Sequence, residues 1–219
     1  MRLSVMTAAL AGLLLAGPQM AQAATCPAVD APAVSVRVVD PGPRVSSTKS
    51  LAQCNSMAGS HGLTKTGFKV LGITEIKIDS GVSVRFKGQR NSSGLCVHVS
   101  KVDVRFGLKT HAVHVPREYA RGSCQFNVVM RHEMAHVNVN RRTVRKYADI
   151  LKNEMRSLLR RTGVVAAASM AEGQKAQTAT IQKILDDVAV RFNGELDTLH
   201  AAIDEPGSKY EADGQCRGW

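Results

Sequence analysis

The second half of the chain carries its apolar residues at helical spacing. No Pro or Gly interrupts the run from Ser123 to Arg161, which predicts one long helix over 123–161 with Ser123 as its N-cap. A second helix is predicted over 170–203, and its apolar seam comprises Ile181, Leu185, Val188, Phe192 and Leu199. Because only a few residues connect the two helices, we expect them to pack as an antiparallel hairpin.

Between residues 68 and 115 the pattern changes to an alternation of apolar and polar positions, which is typical of β-strands. Turn-forming residues at 79–81 and 91–94 divide this β region into short strands. We therefore predict a mostly antiparallel sheet of about four or five strands, polar on one face. Together with the helical hairpin beside it, this sheet gives an α+β fold.

The part of the chain before the sheet is rich in proline. Residues 24–47 predict an extended lead-in with at most one strand, at 34–39, and residues 48–60 predict a short helix. We assign residues 48–219 to a single domain, in which 204–219 form a tail after the second helix.

The first 23 residues have the composition of a secretory signal peptide. A basic start at Arg2 precedes an apolar run over 3–16, and Ala21-Gln22-Ala23 supplies a cleavage site. The apolar run is too short to span a membrane, and no later stretch is long enough either. The sequence thus predicts cleavage near Ala23 and a secreted or periplasmic protein.

The chain is basic, with a formal net charge of +11. Aromatic residues make up only 4% of it, so few stacking platforms for bases exist, and we do not expect a nucleic-acid partner. The cations are better explained as the solvated face of a helix, with weak attraction to the anionic cell envelope as a further possibility.

Five cysteines remain after the predicted cleavage, and in an exported protein most of them should be paired. We expect a bridge between Cys96 and Cys124, which would tie the sheet to the start of the long helix. A second bridge between Cys26 and Cys54 would leave one cysteine free. None of the five lies in a C-x-x-C motif, so a cysteine-based zinc site is not expected.

The long helix contains His132-Glu133-Met134-Ala135-His136, an H-E-x-x-H motif. Two histidines four residues apart project from one face of a helix, so both imidazoles can reach one metal ion. The neighbouring Glu133 is then placed to act as the catalytic general base toward metal-activated water. The alternative is two histidines with a structural role on an ordinary amphipathic helix.

A catalytic zinc ion usually takes three protein ligands, so a third donor is needed. Glu154 lies eighteen residues after His136 and would be about 27 Å away on an unbroken helix, which excludes it. If the hairpin turn is centred near residue 165, Glu195 lies opposite the motif on the apolar seam of the second helix. Glu195 is therefore the predicted third ligand, with His200 and Asp204 as further candidates.

Other polar residues near the motif have weaker claims. A nearby Arg is an alternative partner for Glu195. Asn140 shares the face of the two histidines and is better suited to hydrogen bonding than to metal ligation. His111 and His114 lie on opposite faces of the last predicted strand, and we interpret them as surface histidines.

The order of these features resembles that of uncharacterised secreted bacterial proteins labelled predicted zinc-dependent proteases, a zincin-like family defined by a domain of unknown function. The similarity runs from about Thr48 to Gly214. It includes the strand with Gly94-Leu95-Cys96, the strand ending at Pro116, a second cysteine at Cys124, the H-E-x-x-H motif and the long helical tail. Family members tend to end with an Asp followed by Thr and His-Gly, whereas this chain has no His between residues 203 and 210.

The motif and the resemblance together predict a secreted zinc-dependent metallopeptidase that hydrolyses peptide or protein substrates. Its site would comprise Zn²⁺, the ligands His132 and His136, the predicted ligand Glu195, and Glu133 as base. The alternative is a zinc-binding or scaffold protein of the cell envelope without catalytic activity. Substrate, cleavage preference and oligomeric state do not follow from the sequence.

Overall fold

The computed structural model describes residues 26–60, 70–92 and 94–217, which form a mixed α+β fold with five strands and three helices. The predicted signal peptide lies outside these residues. In chain order the elements are β1 (Ala33–Val39), β2 (Arg44–Ser46), α1 (Leu51–Ser60), β3 (Ile73–Asn91), β4 (Gly94–His114), α2 (Cys124–Thr162), β5 (Val164–Ala167) and α3 (Met170–Asp204). Within the described ranges, no helix has the length and apolar character that crossing a bilayer requires.

Strand β4 is the centre of the sheet. Strand β3 pairs with it antiparallel along one edge, from Ile73 opposite His114 to Asn91 opposite Gly94. The other edge of β4 is covered by three shorter strands laid end to end: β1 and β2 run parallel to it, and β5 runs antiparallel. The sheet is therefore mixed, and the prediction of an antiparallel sheet holds only for the pairs that β3 and β5 make.

The β region consists of two long strands instead of several short ones. The predicted turn at 79–81 is wrong, because these residues continue β3 and pair with β4. Asp79 accepts hydrogen bonds from the Arg105 guanidinium at 2.7 and 3.1 Å across the ladder, which stabilises the extended conformation. The predicted turn at 91–94 is correct, since β3 ends at Asn91 and β4 begins at Gly94.

The two long helices lie close to the predicted ranges. The helix predicted over 123–161 spans Cys124–Thr162, and the Ser123 hydroxyl accepts a hydrogen bond from the Phe126 backbone N–H as an N-cap. The helix predicted over 170–203 spans Met170–Asp204. The connection between them was not predicted to be structured, but it forms β5.

The hydrophobic core lies between the sheet and the α2–α3 hairpin. Phe192 of α3 packs edge-on against Phe106 of β4 and Tyr147 of α2, with ring centroids 5.3 and 5.5 Å apart. Other buried members of this core are Val99, Val102, Leu108, Val144, Leu151, Met155, Leu159, Ile181 and Val188. Gly173 allows the start of α3 to approach the sheet, because a Cβ there would lie 2.5 Å from Val97 Cβ.

Two disulfides join Cys26 to Cys96 and Cys124 to Cys216, while Cys54 is free and buried. Both predicted pairings are therefore wrong. Cys96 lies near the start of β4 and Cys124 lies beyond its end, so about eighteen extended residues, or about 60 Å, separate them. Disulfides persist in oxidising compartments, so these two bridges are compatible with an exported protein.

Candidate metal centre

The H-E-x-x-H motif lies in the first half of α2 and turns two imidazoles toward each other. His132 Nε2 and His136 Nε2 are 3.1 Å apart, and the ring centroids are separated by 4.8 Å. The His136 residue is 9% exposed, so the pair lies at the border between the core and a solvent-facing cleft. This is the position expected for two side chains that bind one metal ion.

Asp204, the last residue of α3, completes a cluster of possible metal donors with the two histidines. Its Oδ1 atom lies 3.0 Å from His136 Nε2 and 3.2 Å from His132 Nε2. In the part of the chain that the structure describes, these three residues are the group of His, Cys, Asp and Glu side chains that can hold a metal ion.

The three atoms form a nearly equilateral triangle with edges of 3.0–3.2 Å. In a tetrahedral site with ligands at about 2.0–2.2 Å, the ligand atoms are about 3.3–3.6 Å apart. The observed triangle needs to expand by only a few tenths of an ångström to match. Three donors from the protein would leave a fourth ligand position for water or substrate, as in catalytic zinc sites.

His132 is held in the tautomer that a metal ligand requires. Its Nδ1 atom lies 2.9 Å from the backbone carbonyl oxygen of Tyr210, which can only accept a hydrogen bond. The Nδ1 atom therefore carries a proton, and Nε2, the nitrogen that a metal ion would bind, faces Asp204. Tyr210 belongs to the tail after α3, so the tail fixes the orientation of a side chain on α2.

His136 is oriented by a buried chain of polar side chains. Its Nδ1 atom lies 2.7 Å from His200 Nδ1, and His200 Nε2 lies 2.9 Å from Asn140 Oδ1. Asn140 Nδ2 lies 3.4 Å from His111 Nε2. Since an amide oxygen only accepts, His200 carries its proton on Nε2 and accepts from His136 Nδ1–H. The chain thus fixes the Nδ1 proton of His136 and turns its Nε2 toward Asp204.

The Asp204 carboxylate and the neighbouring imidazoles shift one another's pKa. Burial opposes ionisation of Asp204, but hydrogen bonds from His132 and His136 outweigh it and hold the pKa of this carboxyl well below its usual range. Burial likewise opposes protonation of His132, yet the Asp204 carboxylate raises the pKa of His132 overall. Burial and the neighbouring His136 lower the pKa of His200 to about 4, so His200 is neutral at pH 7.

Glu133 lies beside the two imidazoles and is only 3% exposed. The Thr74 hydroxyl, at the start of β3, donates a hydrogen bond of 2.7 Å to Glu133 Oε2. Burial raises the pKa of Glu133, while the nearby His136 and His132 and the Thr74 hydrogen bond act in the opposite direction. Gly72 lets the backbone pass close to this carboxylate, because a Cβ there would lie 2.7 Å from Glu133 Oε1.

A cleft opens over these groups between the start of β3 and the end of α3. Its wall includes the donor triangle, Glu133, Thr74 and His200, together with the backbone from Val70 to Ile73 and the tail residues Glu211, Ala212 and Asp213. A substrate in this cleft can therefore reach both the donor atoms and the Glu133 carboxylate.

The structure does not bring Glu195, the predicted third ligand, to the site. Its carboxylate accepts hydrogen bonds from Lys146 Nζ at 2.6 and 2.8 Å and from the Tyr147 hydroxyl at 3.0 Å. Glu195 thus pairs with a cation on α2, which is Lys146 and not an Arg. Of the two further candidates, Asp204 lies within 3.2 Å of both motif imidazoles, whereas His200 contacts His136 on the side away from this cluster.

Glu195 was predicted to lie opposite the motif because the connection between the helices was placed too early in the chain. Strand β5 continues past the end of α2 before the chain turns back, so the first turns of α3 extend beyond α2. Gln177 donates a hydrogen bond of 3.3 Å to the Thr162 carbonyl, which centres the hairpin near residue 169 and not 165. A centre near 169 places Asp204, and not Glu195, opposite the motif.

Several other residues differ from their predicted roles. His111, interpreted as a surface histidine, is 2% exposed and ends the polar chain behind His136, and burial lowers its pKa. His114 is half-buried near Glu75. Thr74 and the Tyr210 carbonyl were not predicted at all, since a backbone acceptor leaves no trace in residue type. The i, i+4 spacing of His200 and Asp204 was the available signal for a polar face at the end of α3.

Searches against protein-family models, curated proteins and solved structures found no match to this chain. The resemblance to predicted zinc-dependent proteases therefore remains an expectation based on the motif and the order of the surrounding features.

Proposed function

We propose that this protein is a secreted zinc-dependent hydrolase that cleaves peptide bonds. The observation that carries the proposal is the convergence of His132 Nε2, His136 Nε2 and Asp204 Oδ1 at mutual distances of 3.0–3.2 Å. Two imidazoles and a carboxylate are a donor set typical of catalytic zinc, and Glu133 stands next to them as a buried carboxylate.

The three donors have complementary tasks. The Tyr210 carbonyl and His200 hold the Nδ1 protons of the two imidazoles, so that both Nε2 lone pairs face inward. Asp204 adds the negative charge. A zinc ion bound here would supply Lewis acidity toward a carbonyl oxygen and would lower the pKa of water.

Glu133 handles the protons of the reaction. One carboxylate oxygen is held by Thr74, which fixes the side chain and leaves Oε1 as the proton acceptor. Oε1 takes a proton from water as the water oxygen attacks the peptide carbonyl, and Glu133 then donates that proton to the leaving amine. Because burial raises its pKa, Glu133 holds the transferred proton more readily than a solvated carboxylate does.

Purified protein, processed at the predicted signal site, tests the proposal. We expect about one zinc per chain by elemental analysis and cleavage of an unstructured protein such as casein. Glu133→Gln should retain the zinc and lose at least about a hundredfold in kcat, because the proton acceptor is removed and the ligands are not.

The non-catalytic alternative gives a different pattern. If the protein only binds zinc in the cell envelope, the wild type and Glu133→Gln should both hold the metal, and neither should cleave a peptide. Failure of the wild-type protein to bind zinc would contradict both functions.

A further inference from the structure

A second groove lies on the other side of the end of α3 from the cleft. The two hollows share Ala202, Ile203, Glu205 and Pro206 as a common wall. The floor of the groove is apolar and comprises Met134, Ala135, Val139, Leu199, Ile203 and Tyr210. Since Met134 and Ala135 lie between the two motif histidines, the groove runs directly behind the metal centre.

Five cations line the same groove: Arg131, Arg141, Arg142, Arg145 and Lys209. Asp40 forms ion pairs with Arg141 at 2.8 Å and with Arg145 at 3.1 Å. Within residues 26–60, 70–92 and 94–217, the other three cations have no ion pair. Arg131 donates to the Gln215 side-chain oxygen, and Lys209 lies over the Tyr210 ring.

The residues outside the described ranges provide no acidic side chain that could pair with the other three cations. All 18 Asp and Glu residues fall within the described ranges, so residues 1–25, 61–69, 93 and 218–219 contain none. Glu205 is the acidic residue among the lining residues of the groove. The excess positive charge is therefore available to a ligand from outside the chain.

We propose that this groove binds an acidic peptide segment in which carboxylate side chains alternate with apolar ones. Guanidinium groups pair with carboxylates through two parallel hydrogen bonds, and the apolar floor accepts aliphatic side chains. A polyphosphate or a nucleic-acid backbone would satisfy the cations but would leave the apolar floor without a partner. That this segment is part of a substrate whose next residues enter the cleft rests on the proposed function.

The test measures binding without cleavage, in the full mature chain carrying Glu133→Gln. The probe is a fluorescein-labelled peptide of alternating Glu and Leu, read by fluorescence anisotropy, and its counterpart has Gln in place of Glu. The double variant Arg142→Gln/Lys209→Gln removes two unpaired cations from the groove. Its matched control, Arg160→Gln/Lys183→Gln, removes an exposed Arg and Lys elsewhere and leaves the same net charge.

We expect the groove variant to bind the acidic peptide about tenfold more weakly than the parent and the control variant to bind it nearly as well as the parent. The Gln counterpart should bind weakly to all three proteins. Equal losses in the two double variants would overturn the proposal, because they would show attraction to net charge alone. Tighter binding of polyphosphate than of the peptide, with the same dependence on Arg142 and Lys209, would also overturn it.

Cleavage of the same peptide by the zinc-loaded wild-type protein is read separately. If the peptide binds in a groove-dependent way but is not cleaved, the result counts against the proposed hydrolase activity and supports the proposed peptide-binding groove.

Discussion

At the scale of single residues, the surroundings of a carboxylate decide what it can bind. Glu195 and Asp204 both lie on α3, but Lys146 and Tyr147 saturate Glu195, and the pKa of Glu195 is lowered chiefly by the Lys146 hydrogen bond. Asp204 instead faces two imidazoles whose Nδ1 atoms donate hydrogen bonds elsewhere, to the Tyr210 carbonyl and to His200. Its Oδ1 atom therefore lies within 3.2 Å of both Nε2 atoms, where a metal ion could be bound.

The two carboxylates should respond differently to substitution. Asp204→Ala removes one of three donors, and we expect zinc affinity to fall by at least about a hundredfold. Glu195→Gln should leave the affinity within about twofold of wild type. Competition with a chromophoric chelator measures both values. The reverse order of effects would restore Glu195 as the ligand.

Gly72 offers a test of how Glu133 is positioned. A methyl group there would lie 2.6 Å from Val129 Cγ1 and 2.7 Å from Glu133 Oε1, so the carboxylate must move in Gly72→Ala. We expect kcat to fall about tenfold or more with zinc content unchanged. Gly194→Ala adds the same methyl group where no heavy atom lies within 4 Å and should leave kcat unaltered. Equal activities of the two variants would show that Glu133 need not be held in place.

At the scale of elements, the site depends on how α2, α3 and β4 are set against one another. The short strand β5 pairs with the start of β4 and fixes where α3 begins. From that start, the hairpin places His200 and Asp204 level with the motif. A chain of polar side chains then links the three elements. It runs from His136 on α2 through His200 on α3 and Asn140 on α2 to His111 on β4.

Breaking this chain at Asn140 should loosen His136 without touching a donor atom. We expect Asn140→Leu to weaken zinc binding about tenfold, because His200 loses the acceptor that fixes its tautomer. Asn140→Asp retains an acceptor for His200 and should bind zinc more tightly than the Leu variant. Asn153→Leu, on the exposed face of the same helix, is the control. Isothermal titration with zinc gives the affinities, and thermal unfolding verifies that each variant is folded.

At the scale of the whole molecule, the two disulfides serve different parts of the structure. Cys26–Cys96 ties the N-terminal lead-in to the sheet, and Cys124–Cys216 ties the C-terminal tail to the start of α2. The second bridge keeps Tyr210 beside His132, and Gln215 and Arg131 add a hydrogen bond nearby. The tail thus contacts the candidate metal centre although it provides none of its three possible donor atoms.

Removing the two bridges one at a time should show which of them affects only stability and which also affects zinc affinity. Both Cys26→Ser/Cys96→Ser and Cys124→Ser/Cys216→Ser should lower the free energy of unfolding by about 2–4 kcal/mol. Only the second pair is expected to weaken zinc binding, by about three- to tenfold, since the carbonyl that holds the His132 Nδ1 proton becomes mobile. Urea unfolding and zinc titration measure the two quantities. Equal zinc affinities would indicate that the tail does not orient His132.

Much of this molecule could be predicted from local patterns. The ends of α2 and α3 depend on caps such as Ser123, and the positions of His132, Glu133 and His136 on one helix face follow from helical periodicity. Turns were harder to predict from the sequence. Asp79 is a residue type common in turns, but its partner Arg105 lies on another strand and keeps it extended. The predicted cysteine pairing was wrong for a related reason, since the uninterrupted 21-residue strand β4 places Cys96 far from Cys124.

The sequence by itself determined the helices, the β region and the motif, because each of these depends on interactions between residues only a few positions apart. The tertiary structure decided which carboxylate lies beside the two motif imidazoles, where the tail packs and which cysteines pair. These depend on the level at which α3 returns along α2, and that level is fixed by the pairing of β5 with β4. No local pattern encodes such a pairing, since its energy comes from residues about seventy positions apart in the chain.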